Sequence, residues 1–186
     1  MLQRTRSHQV APIFERFVER YPNPSALADA EPNELAEIVY GLGLRFRAQS
    51  LRGLARVLTQ EYQGKVPLRA EEAIKLPGVG PYAASALNAF LLKRRIPVID
   101  ANVARVLGRI FGIGGADWRS AKAEERRAMH EIAWMCVGRA NPRTYHYALL
   151  DFAATVCAPR SPACPDCPMH RAKICAYCKS RVTFSA

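Results

Sequence analysis

A glycine-punctuated hairpin constrains this chain more than any other stretch. Lys75-Leu76-Pro77-Gly78-Val79-Gly80-Pro81-Tyr82 lies between two predicted helices. Glycine permits a positive φ, and proline suits the first helical position because no N–H is needed there. The first N–H groups of the second helix have no partner within that helix, and the helix dipole attracts an anion to them. The stretch therefore predicts a helix-hairpin-helix, over about residues 71–92, that holds a DNA phosphate.

The charge of the chain favours the same partner. The 186 residues include 27 Lys and Arg against 16 Asp and Glu, a net charge of +11. Such a field attracts polyanions, and nucleic acid is the usual one. The sequence has no apolar run of the ~20 residues that a membrane span needs, and its N-terminus lacks the apolar segment of a signal peptide. We expect a cytoplasmic monomer, nucleoid-associated in a prokaryote, that binds double-stranded DNA and no membrane.

Apolar residues recur at helical spacing along nearly the whole chain, which predicts an all-α fold. Longer helices are expected at about 48–62, 81–92, 122–137 and 144–156, and Ser25 and Asn33 are predicted to cap two short helices before them. We expect two helical lobes around a DNA-binding groove. Residues 1–120 would form the lobe with the hairpin, and residues 121–186 the lobe with a cysteine-rich loop at 157–178.

A single carboxylate follows the hairpin after about one helix. Asp100, in Val98-Ile99-Asp100-Ala101-Asn102, precedes a predicted amphipathic helix. Aspartate is a favoured N-cap, so a capping role and a chemical role are both open at this position. Beside a sugar, a carboxylate stabilises developing positive charge or helps a water molecule to attack.

Five of the six cysteines lie between Cys157 and Cys178. In a chain expected in the cytoplasm, they indicate metal or redox chemistry rather than disulfides. The spacing Cys157-x6-Cys164-x2-Cys167, followed by Cys175 and Cys178, suits a [4Fe–4S] cluster or a tetrahedral zinc, and spacing alone leaves both open.

The hairpin, Asp100 and the cysteine-rich tail together resemble the endonuclease III superfamily of base-excision DNA glycosylases, and the likeness covers nearly the whole chain. The resemblance implies that the base is flipped out and its N-glycosidic bond hydrolysed, with Asp100 as the catalytic carboxylate. Members that also cut the strand carry a nucleophilic lysine at the position of Tyr82. Tyrosine there implies a monofunctional enzyme without efficient AP-lyase activity.

The resemblance also implies binding sites. The hairpin would contact DNA and bind a monovalent cation through its carbonyls, and a loop near the N-terminus would contact the orphan base. The family pattern Cys-x6-Cys-x2-Cys-x5-Cys favours a [4Fe–4S] cluster. Lys173 stands at the x5 position here, so Cys175 is expected as the fourth ligand after a two-residue insertion, with Cys178 as the alternative. The expected DNA-binding residues are Gln3, Arg4, Leu76, Gly78, Val79 and Gly80; the expected cluster ligands are Cys157, Cys164, Cys167 and Cys175.

Two substrate classes compete. Leu2-Gln3-Arg4-Thr5 and the stretch Tyr145–Phe152 resemble both the enzymes that remove thymine or uracil opposite guanine and those that remove adenine opposite 8-oxoguanine. Ala101 after Asp100 favours the first class, since adenine enzymes usually carry glycine there and continue into a further domain. A non-catalytic helix-hairpin-helix DNA-binding protein is a third alternative. Relatives carry a further helix ahead of the stretch that matches Leu2, so an N-terminally short member is expected.

Overall fold

Helices account for most of the described part of the chain. The computed structural model describes residues 1, 5, 7–43, 46–114, 121–138 and 141–182. These residues form helices and turns with no strand among them, which confirms the predicted all-α fold. They group into two compact units, Met1–Pro81 and Tyr82–Ala186. Within the described ranges, no helix is long and apolar enough to cross a membrane.

The first unit is organised around α4. Its helices are α1 (Ser7–Arg20), α2 (Pro24–Ala28), α3 (Pro32–Val39), α4 (Arg47–Tyr62) and α5 (Ala70–Ala73), with a 3₁₀ turn at Tyr40–Leu42. Both α2 and α3 pack against α4, and α1 packs against α3. Leu35 is fully buried in the core that these helices share. Burial of one such leucine contributes about 1.5–3 kcal/mol to folding.

The N-caps of α2 and α3 lie two residues earlier than the predicted caps. Asn23 caps α2, because its side chain accepts a hydrogen bond from the Ala26 amide at 2.9 Å. Glu31 caps α3 through the amides of Asn33 and Glu34. Ser25 and Asn33 were therefore the wrong choices. A proline follows each true cap at the first helical position, where its missing N–H costs nothing.

The second unit is organised around α7. Its helices are α6 (Pro81–Phe90), α7 (Ala101–Phe111), α8 (Ala123–Val137), α9 (Pro142–Thr155), α10 (Pro168–Arg171) and α11 (Ala176–Val182), with a 3₁₀ turn at Cys164–Asp166. The helices α8, α9 and α11 all pack against α7. Val103, Val106 and Leu107 on α7 are almost fully buried. The four longer helices predicted from periodicity are confirmed to within two residues at each end.

The division between the two compact units falls between Pro81 and Tyr82 in the sequence, whereas we expected a lobe boundary after residue 120. The difference has a simple cause, since α7 packs on α8, α9 and α11 and so belongs with the C-terminal helices. Residues 115–120 lie outside the described ranges. The lobes at 1–120 and 121–186 stay a prediction.

Candidate active site and cysteine pocket

The predicted hairpin is present as a tight turn. The Val79 amide donates a hydrogen bond to the Leu76 carbonyl at 3.1 Å. Gly78 has φ +75°, a left-handed conformation that side chains other than glycine's adopt at a cost. Gly78 and Gly80 are exposed, and the helix α6 begins directly after them at Pro81. The turn therefore exposes main-chain groups of two glycines at the start of a helix, an arrangement that suits phosphate binding.

The predicted DNA-binding residues divide into three groups. Gly78, Val79 and Gly80 form the accessible tip, with Val79 half-buried. The Leu76 side chain is buried, so it anchors the turn and leaves only its backbone to contact a ligand. Gln3 and Arg4 lie outside the described residues. DNA contact by each of these residues stays a prediction.

Asp100 caps α7 and is held by three hydrogen bonds. Its Oδ1 accepts from the amides of Asn102 and Val103, each at 2.8 Å. Its Oδ2 accepts from the Asn102 side-chain amide at 2.9 Å. The carboxylate is half-buried. The capping role considered from the sequence is confirmed, and it leaves the carboxylate oriented rather than free to rotate.

Tyr82 lies within electrostatic reach of Asp100. Partial burial raises the pKa of the Tyr82 phenol, and the negative charge of Asp100 raises that pKa further. The phenol therefore carries its proton at neutral pH. The residue is 47% exposed, so part of Tyr82 is accessible from solvent. This position holds no amine, so it offers no nucleophile for a Schiff base.

A chain of side-chain hydrogen bonds leads from Asp100 to the cysteine loop. Asn102 Oδ1 accepts from Arg105 Nη1 at 3.0 Å. Arg105 Nε donates to the Cys157 carbonyl at 3.1 Å, and its Nη2 donates to the Ala153 carbonyl at 2.9 Å. Neither Asn102 nor Arg105 was predicted as a site residue. The available signal was their spacing, since residues three apart on a helix share a face.

Arg109 holds the same loop one helical turn further along α7. Its Nη1 donates to the Ala158 carbonyl and its Nη2 to the Pro159 carbonyl, each at 2.8 Å. Nη1 also lies 3.4 Å from Cys157 Sγ, within hydrogen-bond range of a sulfur acceptor. The guanidinium stacks on the Tyr177 ring at 4.8 Å. Two arginines of α7 thus fix the backbone around the first cysteine of the tail.

Five cysteines line one pocket. They share it with apolar residues of α7, α9 and α10 and with Arg109 and Tyr177; the five are Cys157, Cys164, Cys167, Cys175 and Cys178. Among the described residues, no three His, Cys, Asp or Glu side chains converge as a preformed site for a metal ion. The donor set nevertheless fits an iron–sulfur cluster, because four cysteine thiolates are its usual ligands and five cysteines line this pocket.

The sixth cysteine lies elsewhere. Cys136 packs against the apolar core of α7 and α8. Burial raises the pKa of its thiol, which pairs with the Tyr145 hydroxyl. Lys173, at the position where the family places its fourth ligand, is exposed with φ +57°. Cys175 and Cys178 are 6% and 8% exposed.

Comparisons with known proteins agree with this geometry. A thymine-DNA glycosylase of Aeropyrum pernix is 34% identical over 184 residues, which cover 95% of this chain and 78% of that one. An adenine DNA glycosylase of Mycolicibacterium smegmatis is 36% identical over 91% of this chain and 56% of its own. The solved structure of a thermostable thymine-DNA glycosylase superposes with a TM-score of 0.84 at 32% identity, covering 96% of this chain and 80% of that chain.

The family model for HhH-GPD superfamily base excision DNA repair proteins matches residues 1–133. That range includes the hairpin at Leu76–Gly80, Tyr82, and Asp100 with the helix that it caps. The resemblance drawn from the hairpin and Asp100 is confirmed. The chain belongs to the HhH-GPD superfamily of base excision DNA repair proteins.

Proposed function

We propose that this protein is a monofunctional DNA glycosylase that removes thymine or uracil opposite guanine. One observation carries the proposal: a carboxylate, Asp100, is fixed at the start of α7 beside Tyr82, a phenol in the position where strand-cutting relatives carry an amine. Asp100 offers a negative charge for a reacting sugar, and Tyr82 offers no amine that could form a Schiff base. Hydrolysis without strand cleavage is the chemistry that such a pair supports.

The reaction begins with extrusion of the target nucleotide from the stack. As the bond between base and sugar breaks, positive charge develops on the sugar. The Asp100 carboxylate stabilises that charge or takes a proton from the attacking water. Its hydrogen bonds to Asn102 and Val103 fix its direction in advance, so little reorganisation is needed during the reaction. The product is an abasic site with both strands intact.

The choice of base rests on the relatives. The Aeropyrum pernix thymine-DNA glycosylase is matched over 78% of its length, whereas the adenine DNA glycosylase is matched over 56%. Ala101 after Asp100 also favours the thymine and uracil class. Adenine release opposite 8-oxoguanine is the second candidate, supported by the 36% identity to the adenine enzyme.

Duplex DNA is the proposed partner. The net charge of +11 and the exposed glycine tip of the hairpin both suit a phosphate backbone. Cys157, Cys164, Cys167 and Cys175 would hold a [4Fe–4S] cluster, which would supply a rigid cross-link rather than redox turnover. The chain itself orders that loop through Arg105 and Arg109.

The test is a panel of labelled duplexes carrying T·G, U·G or A·8-oxoguanine pairs, with a T·A duplex as the matched control. After incubation, each sample is divided and half is heated in alkali. We expect strand cleavage of the T·G and U·G duplexes only after alkali. Cleavage of the A·8-oxoguanine duplex alone would favour the second candidate. Nicking without alkali would refute monofunctionality, and binding without cleavage of any duplex would indicate a non-catalytic module.

A further inference from the structure

The cysteine pocket contains one thiol more than a [4Fe–4S] cluster requires. Cys157, Cys164 and Cys167 keep the family spacing, and two further thiols follow. Building on the cluster in the proposed function, we propose that Cys175 and Cys178 are interchangeable as its fourth ligand. Either thiol would complete the set, and the other would stay beside the cluster as a spare.

The backbone before Cys175 shows why the family position is lost. The Lys173 amide donates to the His170 carbonyl at 2.8 Å, and the Ile174 amide donates to the Met169 carbonyl at 3.1 Å. These bonds close the end of α10, with Lys173 in a left-handed conformation and its side chain in solvent. The chain returns to the pocket only at Cys175. A thiol at position 173 would therefore point away from the pocket.

The two candidate thiols share one helical face. Cys175 directly precedes α11, and Cys178 lies three residues later in its first turn. Residues three apart in a helix face the same side. Both residues are buried and both line the pocket. The Cys178 thiol lies near the thiols of Cys164 and Cys175, so it is close to one family-spaced ligand.

Each of the two thiols also has a polar group nearby that it can contact when it does not bind the cluster. The Cys175 thiol donates to the Arg109 carbonyl at 3.5 Å. The Cys178 thiol has the neighbouring cysteine sulfurs. A buried thiol that does not ligate therefore keeps a polar contact in either arrangement, and neither choice leaves an unsatisfied group. The pocket accordingly provides no feature that reserves the fourth position for one thiol.

The test compares Cys175→Ala, Cys178→Ala and the double variant after anaerobic purification. Cys157→Ala serves as the loss control, and Cys136→Ala removes a thiol outside the pocket. Iron and acid-labile sulfide per chain, and the broad absorbance at ~400 nm, report the cluster independently of activity. EPR spectroscopy detects a three-iron cluster where the fourth ligand is missing.

We expect both single variants and Cys136→Ala to retain the iron and sulfide of the unmodified protein. The double variant is expected to lose iron and sulfide or to show the three-iron signal, as Cys157→Ala does. Loss in one single variant with full retention in the other would overturn interchangeability and name a dedicated ligand. Full retention in the double variant would also overturn it. Stoichiometric zinc without sulfide in the unmodified protein would instead refute the cluster itself.

Discussion

Arg105 Nη1 lies 3.0 Å from Asn102 Oδ1, and the same guanidinium reaches the Cys157 carbonyl through Nε. Because Asn102 also donates to Asp100 Oδ2, one arginine connects the carboxylate to the first cysteine of the tail. Burial lowers the pKa of Arg105, yet the group remains a cation at neutral pH. The direction of the carboxylate therefore depends on how the cysteine loop is held.

Arg105→Lys is expected to slow base release by roughly tenfold to a hundredfold, because an ammonium does not reproduce a planar group that spans three acceptors. The loss should appear in the rate constant of base release measured under single-turnover conditions, with DNA affinity changed little. Arg127→Lys on the exposed surface of α8 is the matched control. An unchanged rate constant for Arg105→Lys would show that the arginine does not position Asp100.

Asp100→Asn is expected to abolish base release while retaining DNA binding. The amide keeps the size of the side chain and can still accept the amide hydrogen bonds through its oxygen, but it lacks the negative charge. Single-turnover release and duplex affinity measured on the same preparation separate the two properties. Normal turnover by this variant would contradict the role assigned to Asp100.

Tyr82→Lys is expected to introduce an amine beside Asp100 and so to permit a covalent intermediate with the sugar. Borohydride reduction would then trap a protein–DNA adduct on a mismatched duplex. Tyr82→Phe, which removes only the hydroxyl, should give no adduct. A trapped adduct with the unmodified protein would show that another amine serves as a nucleophile.

Gly78→Ala is expected to destabilise the protein by about 1–2 kcal/mol, because the residue has φ +75°. Space is not the cause, since an added Cβ would meet Ser50 at an ordinary 3.8 Å. Gly80→Ala is the matched control, as its added Cβ has nothing within 4 Å. Chemical denaturation measures the difference in unfolding free energy. Equal losses for the two variants would mean that the left-handed turn is not the cause.

Stability should fall on acidification through His146. The ring is 2% exposed, its Nε2 lies 2.9 Å from the Ile96 carbonyl, and burial lowers its pKa below the ordinary value of about 6.5. The unfolded chain therefore takes up a proton on this histidine near pH 6.5, whereas the folded protein takes it up only at lower pH. This contribution is full above that pH and is lost as the pH falls towards the lowered pKa.

His146→Gln should flatten this part of the dependence of unfolding free energy on pH, whatever its effect on absolute stability. His8→Gln, at an exposed position, is the control and should keep the slope of the unmodified protein. An identical slope for the His146 variant would show that another group dominates the acid response.

Local sequence patterns predicted most of the helices and the hairpin turn. They did not predict contacts between residues that are far apart in the sequence. The bounds of α4, α8 and α9 follow from apolar spacing, and the turn at Gly78 follows from its glycine. The caps of α2 and α3 were misplaced because several polar residues near each proline could cap. Arg105 was not predicted because two of its three acceptors are main-chain carbonyls about fifty positions away, which carry no side-chain signature.

The helix α7 has 11 residues, with Asp100 before its first residue and Arg109 in its last turn. At about 1.5 Å of rise per residue, the length of the helix sets the separation between the carboxylate and the thiol pocket. A single inserted residue between them would turn one end by about 100° relative to the other. The length of α7 therefore matters to the site in addition to the side chains that the helix carries.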